Sequence, residues 1–374
     1  MSEHVLVTGG VGFVGSHLVD ALITRGYRVR VLDSLEAQVH GPQGDVPNYW
    51  NRQAELVRGS VTDPATVARA CEGIDVVLHH AALVGVGQSM YNIARYCQVN
   101  TGGAAILLEE IVKRRARIRK VLVASSMSVY GEGAYRTEQG DTWAPRLRSR
   151  DQLARGDWEL RDPTTGAPLA PMPTPESKPL HPTSVYAVTK RDHEELFLSV
   201  GSAYRIPTVA LRYFNIYGER QSLSNPYTGV AAIFSARVLN RQPPVVFEDG
   251  EQSRDFVHVS DVVHANLLAL DSDRADYQAI NVGTGRPTTV RQVADSILSA
   301  LAARDLAPTV LGKFREGDIR HCYADITLAR TLLGYEPRVT FADGMRQLVE
   351  WVRGQRAVDR FDDAHRQLVT RGLA

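Results

Sequence analysis

Tyr186 and Lys190 stand four residues apart, a spacing that puts two side chains on one face of a helix. A tyrosine so placed is a candidate acid/base group, and an ammonium beside it favours the phenolate. Upstream, Ser125 and Ser126 close an apolar run that begins at Lys120, which puts a hydroxyl donor at a strand end. Nearer the start, Thr8 is followed by Gly9, Gly12 and Gly15, with Phe13 and Val14 among them. Glycines spaced this way between a strand and a helix let the backbone approach a pyrophosphate, which the first N–H groups of the helix then attract. A glycine triplet alone marks a turn, and a Tyr/Lys pair alone marks an exposed helix face. In this order and together, these residues equip a protein to move a hydride and a proton at a carbinol carbon.

The elements that must hold them follow from alternating apolar patterns. His4 to Thr8 reads as a strand, and Ser16 to Arg25 as a helix with Leu18, Val19 and Leu22 inward. The next strand, Arg28 to Leu32, ends at Asp33, an acid at the spacing expected to accept hydrogen bonds from the adenosine ribose. No arginine follows within Ser34, Leu35 and Glu36, so NAD is expected over NADP. Apolar runs recur at Glu55 to Gly59, Val76 to His80, Lys120 to Ser125 and Thr208 to Phe214, with helical patterns between them. This predicts an α/β fold with a doubly wound parallel sheet of the Rossmann kind. Ligands collect at the carboxyl ends of such strands. Asp33, the stretch from His79 to Leu83 with its small Ala81 and Ala82, Ser125 with Ser126, and Tyr213 to Asn215 all fall there.

The 374 residues hold 43 Lys and Arg against 42 Asp and Glu, a net charge of +1 that offers no footprint for nucleic acid or an acidic membrane. Ser2 and Glu3 lead straight into a strand, and no apolar run approaches a membrane span, so a cytoplasmic protein is expected. Cys71, Cys97 and Cys322 are odd in number and lack paired spacing, as reduced thiols do. His79, His80, His258, His264 and His321 have no acid or thiol at ligand spacing, so no metal is expected. The tail from Gln355 to Ala374 reads as a solvated helix, with Val358, Phe361 and Leu368 as contact points.

Further strings run from Leu211 to Gly218, Ser253 to Asp261, Asn281 to Gly283 and Arg315 to Asp318. With them, nearly the whole chain resembles the extended short-chain dehydrogenase/reductases of the NAD-dependent nucleotide-sugar epimerase/dehydratase family, most of all the dTDP-L-rhamnose 4-epimerase-like and UDP-glucose 4-epimerase-like members. The resemblance implies a Rossmann domain over 1–212, with an insert at 132–182. It also implies a smaller C-terminal substrate-binding α/β lobe over 213–374, whose part near 252–272 packs back on the first domain. NAD is the implied cofactor. The glycine loop holds it with Asp33, Ser60, Val61, Ala81, Ala82, Leu83, Asn100 and Ser125, and so do Tyr186, Lys190, Tyr213, Asn215 and Ile216. The implied substrate is a nucleoside-diphosphate sugar, with Asn215, Arg254 and Arg315 on its pyrophosphate and Asp318 on the nucleotide ribose. Guanidinium forks suit phosphate oxygens. Val84, Ser126, Ser128, Val246, Phe247 and Cys322 complete the implied substrate site. Cys322 falls at a wall position where relatives carry tyrosine or a small residue, so room for a large sugar is expected. A homodimer is implied through the stretch Tyr91 to Arg114 and the helix from Tyr186 to Val200, with Ile93, Leu107, Ile111, Leu196 and Leu198 as contact candidates.

The departures from the family pattern are informative. Dehydratases of the family carry an Asp-Glu pair after the serine, whereas this chain has Met127 and Ser128, neither of which exchanges a proton usefully near neutral pH. The expectation is therefore a 4-epimerase, with Ser126, Tyr186 and Lys190 as its catalytic residues. A dehydrogenase or reductase that releases its product would use the same three residues, and a non-catalytic sensor of the same fold would need no base. Where relatives place an aspartate near adenine, this chain offers Ser60. Cysteines that look like a zinc knuckle in the insert of relatives fall on Thr137, Asp162 and Thr165. That leaves Trp143, Trp158 and the prolines Pro168, Pro171, Pro173 and Pro175 to fix the insert by packing.

Overall fold

Seven short apolar runs pair as a parallel sheet in the computed structural model, which describes residues 2–374. They are β1 (His4–Thr8), β2 (Arg28–Asp33), β3 (Glu55–Arg58), β4 (Val76–His79), β5 (Lys120–Ser126), β6 (Thr208–Tyr213) and β7 (Ala279–Val282), in the spatial order β7-β6-β5-β4-β1-β2-β3. The four central strands are buried almost end to end, as continuous Val, Leu and Ala runs are when helices cover both faces. Side chains alternate between the two faces. Val5 and Val7 point to one core, where they meet Leu18, Val19 and Leu22 of α1 (Phe13–Thr24). Leu6 points to the other, with Leu107 and Ile111 of α2 (Gly103–Lys113) and Phe197 of α3 (Val185–Tyr204). Leu107 and Ile111 are thus committed to the chain's own sheet, with 0% and 1% exposure, and cannot serve the subunit contact expected of them.

Division by sequence is not division by space. β7 lies beyond residue 212 yet forms the edge of the sheet against β6, and α4 (Val259–Asp271) packs its Val262, Ala265 and Leu270 into the core shared with α1. The rest of the second half builds a smaller lobe. A sheet of Asn215–Tyr217, Ser253–His258, Pro287–Thr289 and His321–Cys322 lies beside helices whose Phe234, Val293, Ile297, Leu348 and Val352 form a separate core. The last helix is α5 (Phe361–Thr370). No helix among the described residues is long and apolar enough to cross a membrane.

The insert is held differently from the expectation. Its strand Ala134–Arg136 pairs antiparallel with Thr142–Trp143 and Ala170–Met172, and this ribbon carries Trp143 out to solvent at 41% exposure. Packing comes from Tyr135, Leu160 and Leu169. The stronger tie is ionic. Arg148 reaches Glu248 at 2.9 Å, while Arg320 reaches Glu159 at 2.6 Å, Asp249 at 2.7 Å and Glu248 at 3.1 Å. Trp158 contributes its backbone carbonyl, which accepts from Arg148 at 2.9 Å.

Candidate active site

The sheet order reverses between β1 and β4, and at their carboxyl ends a cavity of about 880 Å³ opens between the two lobes. One end is walled by the glycine loop. Gly12 caps α1 without any side-chain hydrogen bond, so the first N–H groups of the helix face the cavity unshielded. Gly9 has φ +70°, and a Cβ there would lie 2.8 Å from the Ala81 nitrogen. A Cβ on Gly15 would run into the Gly9 carbonyl oxygen and come within 2.7 Å of the Gly10 Cα. Backbone stands on every side, so nothing flexible can yield. Gly15→Ala is expected to weaken NAD binding at least about tenfold, or 1.4 kcal/mol, in a fluorescence titration; an unchanged affinity would show that the loop does not need to curl this tightly.

Asp33 ends β2 with its carboxylate oriented by two backbone donors, Val11 N–H at 3.0 Å and Leu35 N–H at 2.9 Å. Each oxygen keeps a lone pair for a hydroxyl. Arg95 lines the same region but is paired with Glu36 at 2.7 Å. Ser60 and Val61 line the cavity, with the Ser60 hydroxyl already bonded to Thr62 Oγ1 at 2.8 Å. Ala81, Ala82, Leu83 and Val84 form the floor after β4, and Thr8 Oγ1 accepts from the Ala81 N–H at 3.2 Å. Asn100 does not reach the cavity. Its amide clamps Leu83 instead, accepting from Leu83 N–H at 2.8 Å and donating to Leu83 carbonyl at 3.1 Å and to Thr189 at 2.9 Å.

Tyr186 sits in the first turn of α3, just after the Ser184 cap, and its backbone N–H is fixed by Ser89 Oγ at 3.0 Å. Neither Ser184 nor Ser89 was singled out from the sequence, because a lone serine carries no signal apart from the helix start it caps. Ser126 Oγ accepts from the Ser128 N–H at 3.2 Å and from its hydroxyl at 2.9 Å, so its own hydrogen is left free on the cavity wall that Tyr186 shares. Burial pushes the Tyr186 hydroxyl up to about 12, opposed by the nearby Ser126 hydroxyl. Lys190 donates to the Ala124 carbonyl at 2.7 Å, and burial lowers its ammonium to about 7. The lysine was expected to draw the tyrosine toward phenolate. Burial by itself favours the neutral form of both groups in the chain without NAD.

Beyond them lie Tyr213, Asn215, Ile216, Phe247, Arg254, Arg315 and Asp318, all lining the cavity together with Ser125 and Ser128. Asn215 Oδ1 is buried with no partner among the described residues, and Arg315 holds Asp318 at 2.8 Å. Besides Asn100, two expected substrate-site members are absent from the wall. Val246 turns into the second-lobe core, and its neighbours Val245 and Phe247 face the cavity instead. Cys322, 1% exposed, lies behind the wall with Tyr130, Phe214 and Ala324, its thiol 3.7 Å from Thr174 Oγ1 and pushed by burial up to about 12. Cys322→Tyr is therefore expected to cost about 1–3 kcal/mol by overpacking and to leave the ratio of rates on large and small sugars unchanged. A changed ratio with unaltered stability would put the residue back in the wall.

Residues 5–149 and 164–283 match the model of the NAD dependent epimerase/dehydratase family. The chain belongs to this family. It is 33% identical over 94% of its length to a dTDP-L-rhamnose 4-epimerase of Burkholderia thailandensis, covering 95% of that protein. A putative UDP-glucose 4-epimerase of Methanocaldococcus jannaschii is also 33% identical, over 93% of this chain and 98% of that one. Among solved structures it is similar to a UDP-glucose 4-epimerase of Thermotoga maritima with UDP-glucose (TM-score 0.76, 33% identity, 94% of this chain and 98% of that chain). It is likewise similar to a Thermus thermophilus UDP-glucose 4-epimerase in complex with NAD (TM-score 0.74, 30% identity, 94% of this chain and 100% of that chain). The cofactor is NAD, and the geometry fits it: a glycine cradle that a Cβ would fill, an uncapped helix start and an oriented Asp33 carboxylate.

Proposed function

We propose that this chain is an NAD-dependent nucleoside-diphosphate-sugar 4-epimerase. The observation that carries the reading is that Ser126, Tyr186 and Lys190 line one wall of the cavity, with no acid following Ser126. The carboxylates that line the cavity are engaged elsewhere: Asp33 and Glu36 at the end of β2, Glu316 with Arg150 at 3.3 Å, and Asp318 with Arg315. None is placed as the acid and base that eliminating water would need. NAD, held by the glycine loop and Asp33, would supply the hydride acceptor and donor for the sugar carbon. Tyr186, in its phenolate form, takes the proton of the sugar hydroxyl and, as the phenol so formed, gives it back, Ser126 donates its hydrogen to the sugar oxygen, and Lys190 holds the cofactor ribose. Arg254 and Arg315 bind the pyrophosphate, and Asp318 the nucleotide ribose.

The test is a panel of dTDP-, UDP-, GDP- and CDP-sugars incubated with enzyme and no added cofactor. Interconversion of 4-epimers without net oxidation is the expected outcome. Stoichiometric accumulation of reduced cofactor with a keto sugar would identify a dehydrogenase, and binding without turnover of any of them would identify a sensor.

We read the protein further as cytoplasmic, in keeping with its unpaired thiols, and as a two-fold dimer, the commonest closed symmetry. With Leu107 and Ile111 buried, the contact falls to Ile93 and Val188, 53% and 43% exposed, and the half-buried Leu196 and Leu198. A monomer mass by light scattering at micromolar concentration would refute the dimer.

A further inference from the structure

The final helix turns its apolar face toward the cavity. Phe361, Ala364, His365 and Leu368 of α5 recur at i, i+3, i+4 and i+7, which is one face of a helix. All four line the cavity, joined by Leu373, while Asp362, Asp363, Arg366 and Gln367 face solvent. The helix is tied down on both lips. On the second lobe Arg237 pairs with Asp359 and Asp362, each at 3.2 Å, and lies 4.7 Å over the Phe361 ring. On the first lobe Arg371 lies 4.3 Å over the Tyr91 ring, and a side chain at Gly87 would meet Leu368. The Glu316 N–H donates to the Leu373 carbonyl at 3.1 Å.

What α5 faces is chemically specific. His365 meets the Phe247 ring edge-on at 5.6 Å, and Arg315, assigned above to the pyrophosphate, lies 4.5 Å over the same ring. Gln252 donates to the Phe247 carbonyl at 3.1 Å. Two buried polar atoms around Phe247 have no partner among the described residues, Gln252 Oε1 and His365 Nδ1. An aromatic wall with few, unpaired polar atoms next to a pyrophosphate-binding arginine matches a flat heterocycle with hydrogen-bonding edges. A sugar would call for many more donors and acceptors.

We propose that α5 is the outer wall of the nucleoside end of the substrate site and that His365, through Nδ1, hydrogen-bonds the base of the bound sugar nucleotide. This rests on the sugar-nucleotide reading above. Burial, with the Arg315 and Lys313 charges, holds the imidazole below its usual range, so it is neutral near pH 7 and Nδ1 donates or accepts according to tautomer.

The test uses calorimetric binding of UDP and dTDP, with inorganic pyrophosphate as the probe that lacks a base, to the NAD-loaded full chain. His365→Leu is expected to weaken the nucleoside diphosphates about fivefold to tenfold, the worth of one hydrogen bond to a buried group, and to leave pyrophosphate unaffected. His365→Asn, whose amide falls near the Nδ1 position, should recover most of the loss. Leu368→Asp, which unseats the helix from Gly87, should weaken the nucleoside diphosphates in the same selective way. Wild-type affinity in both His365→Leu and Leu368→Asp, or a parallel loss of pyrophosphate binding, would overturn the proposal. A wild-type chain that binds pyrophosphate as well as it binds either nucleoside diphosphate would instead overturn the sugar-nucleotide reading on which the proposal rests.

Discussion

Tyr186→Phe is expected to lower turnover on the order of a hundredfold to ten-thousandfold, the usual contribution of a positioned acid/base group, while leaving fold and NAD binding intact. Only the hydroxyl is deleted. The buried ring keeps its packing, the backbone N–H keeps Ser89, and Lys190 keeps its bond to the Ala124 carbonyl. Because burial raises the hydroxyl to about 12, the phenolate that acts as base is the minor form at rest, and the neighbouring Ser126 hydroxyl favours it. Ser126→Ala therefore removes assistance rather than the proton carrier, and its cost should be smaller. The measurement is initial rate on the substrate found by the sugar-nucleotide panel, with bound NAD quantified in each variant. A Phe variant with more than about a tenth of the wild-type rate would, on that scale, remove Tyr186 from the role, and a larger deficit in Ser126→Ala would exchange the two assignments.

What could be read from sequence was what acts over short spans. The glycine loop, Asp33 at the end of β2 and the Tyr186–Lys190 spacing each depend on a few consecutive residues, so local geometry places them at the cavity directly. The failures are of other kinds. Val246 was named for the wall where Val245 and Phe247 lie, an error of one residue that the alternation of a strand converts into the opposite face. Cys322 shares the same difficulty, because its neighbourhood is known from a family pattern but its direction is set by packing against Tyr130 and Ala324. The stripe on α5 was visible as periodicity, yet periodicity says that a face is covered and not by what. Val358, expected to join it, is 59% exposed. Asn100 lies outside the wall for a related reason: polar residues that brace a backbone segment look, in sequence, like those that bind a ligand.

Arg320→Met is expected to destabilise the protein by about 3 kcal/mol, the low end of the cost of breaking a buried ion pair, because Glu159 and Asp249 are 40% and 37% exposed and only Glu248 is buried; the effect is read as a lowered midpoint in urea. Methionine can fill the volume but not the electrostatics. Two guanidiniums, Arg148 and Arg320, each about 1% exposed, face four carboxylates, Glu132, Glu159, Glu248 and Asp249. Glu132 is wholly buried, and that burial already pushes its carboxyl up, with the Arg148 charge as the main restraint. Taking away an arginine leaves the acids in excess, while taking away an acid relieves them, so Glu248→Gln should cost less than Arg320→Met. The reverse order would contradict this account of the cluster. The partners of Arg320 lie 71 to 188 residues away along the chain, which is why no window of sequence displayed the cluster. The damage should also reach function along a defined route. Arg148 donates to the Asp318 carbonyl at 3.2 Å, and Glu248 and Asp249 directly follow Phe247, so the same cluster sets the nucleoside end of the cavity. Below its unfolding temperature, Arg320→Met should therefore raise KM for the sugar nucleotide before it lowers kcat, since Ser126, Tyr186 and Lys190 are held by β5 and α3, apart from the insert that the cluster anchors.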